Sequence, residues 1–354
     1  MNLKNKRVLL RVDFNVPMRH GAIADDFRIR ASIPTIKKTV SQGAQVFLIA
    51  HLEENGTIPH LESVYKKLKF FLKTDVAFWR GKIGEFPKHT DSKIVLLDNI
   101  RLNQGEKKND RAFAQTVASL GDIFVNEAFS DSHRKHASIV GIPKFLPSYL
   151  GDFFKKEVKT LSKSFDPPHP FLLVMAGNKF ATKEPLLNKF LKIADHVFIG
   201  GALANTFLFK RGFDIGKSKV EKIIIPKSIL WHKKIILPID YVKKNGVIYD
   251  AGPKTIKMLG RIAERSKFVL WNGTLGLCEK GFISGTKNFA RHLEKSKAYK
   301  IVGGGDTAAA IRGFKLEKNF NFISTGGGAM LEFLATGTLP GIEAVKKSST
   351  GVIL

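Results

Sequence analysis

Cysteine is nearly absent. Cys278 stands alone among 354 residues, so no internal disulfide can form, and a disulfide-built secreted domain is excluded. Long apolar runs are missing too. The uninterrupted ones are about five residues, as in Val46–Ala50, whereas a membrane span needs roughly 20 and a signal-peptide core at least about 7. Acidic residues are few beside basic ones, 31 Asp+Glu to 58 Lys+Arg, which leaves +27 at pH 7. There is no low-complexity tract and no G-x-x-x-x-G-K-[ST] loop, so a P-loop grip on a nucleotide is ruled out. What remains, at 44% hydrophobic and 25% charged, is ordinary globular composition. Single cores stop growing near ~250–300 residues, so the length implies two domains. The expectation is a cytoplasmic protein with no membrane partner.

A charge of this size is what nucleic-acid binders carry. Here it is mostly lysine, 44 Lys to 14 Arg, spread in short clusters such as Lys37-Lys38, Lys66-Lys67 and Lys107-Lys108. No basic tail, helix-turn-helix pattern or aromatic RNA-binding signature accompanies it. A cationic surface serving an anionic small substrate is expected instead, and nucleic acid is not. Nine of the 14 arginines fall in the first 134 residues. Arginine grips phosphate and carboxylate bidentately, so the first half is expected to hold an anionic ligand.

Short aliphatic runs recur between helix-length polar segments. They are Arg7–Val12, Gln45–Ala50, a weaker Asp75–Phe78, Lys93–Leu97 and Asp122–Asn126, then Phe171–Ala176, His196–Gly200, Lys234–Ile239, Lys267–Trp271, Tyr299–Val302 and Asn321–Ser324. Runs of this kind read as parallel strands covered by helices on both faces. The fold class expected is α/β: two doubly wound domains with mainly parallel sheets, joined by a helix and hinge. The charged amphipathic stretch 151–164, followed by Asp166-Pro167-Pro168, is the expected junction between 1–150 and 165–337. Residues 338–354 are expected to pack back on the first domain.

Ligands in such folds sit at the carboxyl ends of strands. In the first half those ends carry Asp13 and Asn15, His51, Asp98 to Arg101, Glu127, and His133 to His136. In the second half they carry glycine turns opening helices: Gly177 to Lys179, Gly200-Gly201, Asn272-Gly273, Gly303 to Thr307 and Gly326 to Gly328. Free backbone N–H groups at helix starts bind phosphate. One half lined by arginine and histidine and the other by glycine suggests a two-substrate enzyme with its nucleotide on the second domain.

Seven motifs, in order along the whole chain, resemble phosphoglycerate kinase: Arg11–Pro17, Asp25–Ile36, Gly105–Asp110, Ser132–Ser148, Trp271–Thr286, Val302–Ala310 and Ser324–Leu334. The resemblance implies a triose-phosphate domain at 1–150, a nucleotide domain at 165–337 and a monomer. It implies reversible transfer of a phosphoryl group from 1,3-bisphosphoglycerate to MgADP, giving 3-phosphoglycerate and MgATP. Asp13, Asn15, Arg28, His51, Arg101 and Arg134 would bind the triose phosphate, with His136 nearby. Arg28, Lys179, Lys183 and Gly327 would act on the moving phosphoryl group. Lys179, Lys183, Gly200, Gly201, Asn272, Glu279, Gly304, Gly305, Asp306 and Thr307 would hold the nucleotide, and Asp306 would reach its Mg²⁺. Thr307 is as well placed to cap a helix. The spacing of Lys179 and Lys183 predicts one helix face carrying both, and Arg30 is expected at the surface.

The chain also departs from the family. His51-Leu52-Glu53-Glu54-Asn55 stands where the family has His-Leu-Gly-Arg-Pro, so a phosphate-binding arginine becomes Glu54, which would repel a phosphate. Ala176-Gly177-Asn178-Lys179 replaces Gly-Gly-Ala-Lys, Thr182 an aspartate, Thr274 a proline and Ala202 a glycine. Two alternatives follow: a weak or inactive nucleotide-binding relative with an altered triose-phosphate pocket, and a basic nucleic-acid binder on the same fold.

Overall fold

The computed structural model describes residues 3–87 and 90–348. The chain forms two compact units, Met1–Lys159 with Thr338–Leu354, and Thr160–Gly337. Unit 1 contains β1 (Arg7–Arg11), the small hairpin β2 (Met18–Arg19) and β3 (Ala22–Ile23), then β4 (Gln45–Ile49), β5 (Ala77–Trp79), β6 (Ile94–Leu97), β7 (Ile123–Asn126) and β8 (Ser148–Leu150). Its helices are α1 (Phe27–Ser41), α2 (Glu62–Leu72), α3 (Gln104–Lys108), α4 (Arg111–Ala118) and the start of α5 (Asp152–Ser162), within which the chain passes to unit 2.

Six strands pair in parallel in the order β5-β6-β4-β1-β7-β8. Alternation explains why they read as unbroken apolar runs. Val8, Leu10, Val46 and Leu48 enter one core, while Leu9, Phe47 and Ile49 enter another on the opposite face. A strand covered on both faces has no polar side to show.

Unit 2 contains β9 (Phe171–Met175), β10 (His196–Ile199), β11 (Ile235–Ile236), the hairpin β12 (Tyr241–Lys244) and β13 (Val247–Ala251), β14 (Phe268–Asn272), β15 (Tyr299–Gly303) and β16 (Phe322–Ile323). Its helices are α6 (Glu184–Ile193), α7 (Gly201–Lys210), α8 (Lys227–Leu230), α9 (Pro253–Arg265), α10 (Ser284–Lys295), α11 (Gly305–Gly313) and α12 (Gly328–Thr336). The parallel order is β11-β10-β9-β14-β15-β16. The chain runs outward one way from β9 and then the other way from β14. The carboxyl ends of those two strands therefore flank the crevice where an open α/β sheet takes a ligand.

Both sheets are the doubly wound α/β sheets expected, with three differences in detail. The three-residue β8 completes the first sheet and was too short to register as an apolar run. The expected strand Lys234–Ile239 shrinks to two residues, because Pro238 offers no N–H to a ladder and Ile239 is exposed. The hairpin β12–β13 was not expected at all. After unit 2, α13 (Pro340–Lys346) belongs to unit 1, where Gly341 N donates to Ser132 O at 2.9 Å. The last part of the segment expected to return, 349–354, lies outside the described residues.

Candidate active site

In unit 1 the chain leaves β1 with Asp13 buried and turned onto its neighbours. Asn15 N donates to Asp13 Oδ1 at 3.1 Å, and Ser130 Oγ donates to Oδ2. Arg28 sits in the first turn of α1, whose start is held by Phe27 N donating to Asp25 Oδ1 at 2.9 Å. Its guanidinium lies 3.1 Å from Asp13 Oδ2 and donates to Asn15 O at 2.9 Å. Asp13, Asn15 and Arg28 are thus one cluster. Arg30 turns away to Asp26 at 2.7 Å and is exposed, as expected.

Deeper in, a charged network joins the ends of β1, β4, β6 and β7. Asp131 is buried among Arg11, at 2.9 Å, His51, at 3.0 Å, and Arg101, at 3.6 Å. Burial raises the Asp131 carboxyl, but His51, Arg11 and Arg101 outweigh it and hold the group well below the usual carboxylate range. Burial lowers the His51 imidazole, opposed by the Asp131 carboxylate. Arg11 Nη2 lies 3.0 Å from His51 Nδ1 and can only donate. The same Nδ1 lies 3.0 Å from Asp131 Oδ2, and Nε2 is buried with no hydrogen-bond partner among the described residues. Arg101 Nε and Nη2 are likewise buried and without a hydrogen-bond partner. Buried donors without a hydrogen bond are rare in folded proteins, and the two on Arg101, beside His51 Nε2, mark a candidate anion site.

Around this point lie the remaining expected groups. Arg134 is exposed. His136 is held near a pKa of about 4 by burial and by Arg101 and Arg134, so it stays neutral at pH 7. Glu54, expected to repel a phosphate, has its backbone paired with Thr57 in a tight turn, Glu54 N donating to Thr57 O at 3.0 Å. Its neighbour Glu53 is the carboxylate on the arginine, accepting from Arg101 Nη1, with Lys107 Nζ 3.6 Å from its other oxygen. Arg11 and Asp131 were not singled out from sequence, and Glu53 only as a departure from the family's glycine; a charge closing the apolar run Val8–Leu10 was the available signal for Arg11.

In unit 2 a cleft of about 370 Å³ opens at the β9/β14 crevice. Gly201, Glu279 and Asp306 line it, with Gly177, Asn178 and Thr274. Gly201 has φ +62°, and a Cβ there would lie 2.9 Å from Gly177 N, so two turns meet backbone to backbone. Gly200 caps α7, while Gly304, at φ +102°, caps α11 ahead of Gly305. Gly327 caps α12, and a Cβ on it would lie 3.8 Å from Gly305 N, so the α11 and α12 openings adjoin. Their N–H groups form a place for phosphate. Asn272 Nδ2 donates to Gly303 O at 3.2 Å, and the buried Thr307 Oγ1 accepts from Gly273 N at 3.0 Å. Both residues tie the strand-end turns together. Asp306 is an exposed carboxylate in the first turn of α11.

Lys179 and Lys183 do not share a helix face. Helix α6 begins at Glu184, where Pro185 fits the first turn, and Lys179 lies in the turn before it. Lys179 is exposed, whereas Lys183 is buried and lies over Gly177, with burial lowering its pKa. The other cleft wall was missed from sequence. Tyr241 and residues 247–251 of β12–β13 form it, with Asn205 and Lys219. The signal was Asn245-Gly246, both at positive φ, a dipeptide that favours two-residue hairpin turns.

A sequence profile described as phosphoglycerate kinase matches residues 1–337. The chain is 40% identical to phosphoglycerate kinase of Coprothermobacter proteolyticus over 376 aligned positions, 96% of each chain. It is 38% identical to that of Pseudothermotoga lettingae, over 98% of this chain and 97% of the relative. Among solved structures, phosphoglycerate kinase from Coxiella burnetii is similar at TM-score 0.81 and 34% identity, covering 98% of this chain and 97% of the other. The Pyrococcus horikoshii enzyme is similar at TM-score 0.86 and 26% identity, with the same coverage. With that agreement over nearly its full length, the chain belongs to the phosphoglycerate kinase family.

Proposed function

We propose that the protein catalyses reversible phosphoryl transfer between 1,3-bisphosphoglycerate and ADP, giving 3-phosphoglycerate and ATP. In the reverse direction a carboxylate oxygen of 3-phosphoglycerate attacks the terminal phosphorus of ATP, the bond to the ADP oxygen breaks, and an acyl phosphate forms. The observation that carries this assignment, beyond family membership, is the pair of buried Arg101 nitrogens without hydrogen bonds, beside His51 Nε2, in the unit that also presents Asp13, Asn15 and Arg28.

Asp13 and Asn15 bind the glycerate hydroxyl and carboxylate, while His51, Arg101 and Arg134 take the phosphate that stays. Arg28 meets charge that develops on the moving group, where an oriented cation acts most strongly. On the nucleotide, Gly200 and Gly201 leave room for the base, Glu279 reaches the ribose, and Asn272, Gly304, Gly305 and Thr307 shape the phosphate seat. Lys179, Lys183 and the Gly327 N–H bear on the transferred phosphoryl. Asp306 as a single carboxylate on the cleft suits Mg²⁺, an ion that keeps waters and arrives with phosphates. Bound there, the ion would neutralise phosphate charge. Such chemistry needs positioning and water exclusion more than covalent help, so the two units close during turnover.

The proposed enzyme is a monomer working in the cytoplasm, as the resemblance suggests. Among the described residues, no helix is long and apolar enough to cross a membrane. The test is steady-state turnover of purified protein with 3-phosphoglycerate and MgATP. Measurable turnover supports the assignment. None at millimolar substrate, from protein that binds MgADP, would overturn it.

A further inference from the structure

Arg101 carries two opposed features. Its side chain is almost wholly buried, 1% exposed, and two of its nitrogens have no hydrogen-bond partner. Yet the third, Nη1, is occupied by a carboxylate of the same chain, Glu53. The two residues are unequal. Glu53 is 31% exposed and reaches in from the solvent side, with its second oxygen 3.6 Å from Lys107 Nζ. Asp131 already sits 3.6 Å from Arg101 Nη2 as a fixed counter-charge inside the network. Glu53 is therefore a second carboxylate, held between two cations as one face of a phosphate would be.

Its backbone is anchored by hydrogen bonds, its side chain only by the two cations. Glu53 N donates to Asn15 Oδ1 at 3.0 Å, and the next residues are held by the Glu54–Thr57 turn. A rotation about the side-chain bonds would release both Arg101 and Lys107 and turn the Glu53 carboxylate to solvent. The physical reason for the contact is that Asp131 alone faces two buried guanidiniums, Arg11 and Arg101, and a buried charge left uncompensated is costly. A carboxylate on it stabilises the empty pocket, and an incoming phosphate has to displace that carboxylate.

Resting on the triose-phosphate assignment above, we propose that Glu53 is a built-in competitor for the phosphate end of the substrate. It occupies Arg101 in the empty pocket and sets the affinity of unit 1 for its anion. The substrate's phosphate takes Arg101 with the two unpaired nitrogens and gains Lys107 as the carboxylate leaves. The nucleotide cleft is untouched by this exchange.

The test is calorimetric titration of Glu53→Gln and Glu53→Gly, beside the unaltered protein, with 3-phosphoglycerate, inorganic phosphate and MgADP. Both variants should bind 3-phosphoglycerate and phosphate about tenfold more tightly, the scale of one charge-assisted contact, and MgADP equally. Equal or weaker anion binding in Glu53→Gln would overturn the proposal and make Glu53 a support for Arg101. Variants too unstable to titrate would overturn it as well, because a displaceable carboxylate is not one the fold depends on. If every form binds phosphate and none binds 3-phosphoglycerate, the assigned substrate is wrong, and the phosphate titration alone still decides the role of Glu53.

Discussion

At the carboxyl ends of β1, β4 and β6 the proposed anion site is built from side-chain charges; at the ends of β9, β14 and β15 the proposed one is built largely from backbone. The first arrangement places Arg11, Arg101 and His51 where water does not reach, so they need Asp131 whether or not a ligand is present. The second offers N–H groups that every helix start already has, at Gly201, Gly305 and Gly328, and needs room rather than counter-charge. Function and stability are thus tied together in unit 1 by charge balance and in unit 2 by the absence of side chains.

The hardest break to that comparison is Asp131→Asn. It keeps the shape and leaves Arg11 and His51 without their anion, so urea unfolding should show unit 1 destabilised by about 3–5 kcal/mol. A loss under about 1 kcal/mol would mean that water or another group balances the charge.

Next is Glu127, just beyond β7. It accepts from Thr35, from Phe153 N at 3.1 Å and from Phe154 N at 3.2 Å at the start of α5. Burial pushes its carboxyl up from 4.5 to about 7. The folded state holds this proton more tightly, so the associated stability is fully present below pH 4.5 and is lost as pH rises through about 7. The loss is roughly 3 kcal/mol. Glu127→Gln should flatten that part of the stability–pH curve, and a wild-type curve without the slope would contradict the burial argument.

The smallest effect belongs to unit 2. Gly201→Ala puts a Cβ 2.9 Å from Gly177 N at a positive φ. It should cost roughly 1–3 kcal/mol and weaken MgADP while leaving 3-phosphoglycerate binding alone. Equal weakening of both ligands would erase the distinction between the two sites.

Much of this was legible because buried parallel strands read as apolar runs, and ligands in such sheets sit where the runs end. Asp13, His51, Arg101 and the glycine turns were found that way. Pairing across the chain was not legible. Arg11 meets Asp131 across 120 positions, and Arg101 meets Glu53 across 48. No local pattern encodes either contact, so attention fell on Glu54, while Glu53 is the residue that holds the arginine. The two lysines were misplaced because helical spacing was extended back through a turn, when Pro185 marks where the helix begins. The hairpin wall escaped because β12 and β13 stand outside the main sheet and are partly exposed, without an apolar run to announce them.

The most direct measurement is turnover with 3-phosphoglycerate and MgATP for Arg28→Ala beside the unaltered protein, with the MgADP dissociation constant of each. Removing a cation that acts on the moving phosphoryl group should lower kcat by about 10²–10³ and leave MgADP affinity unchanged. Turnover that survives the substitution at full rate would contradict the assignment of Arg28 and, with it, the account of unit 1 as the acceptor side of the reaction.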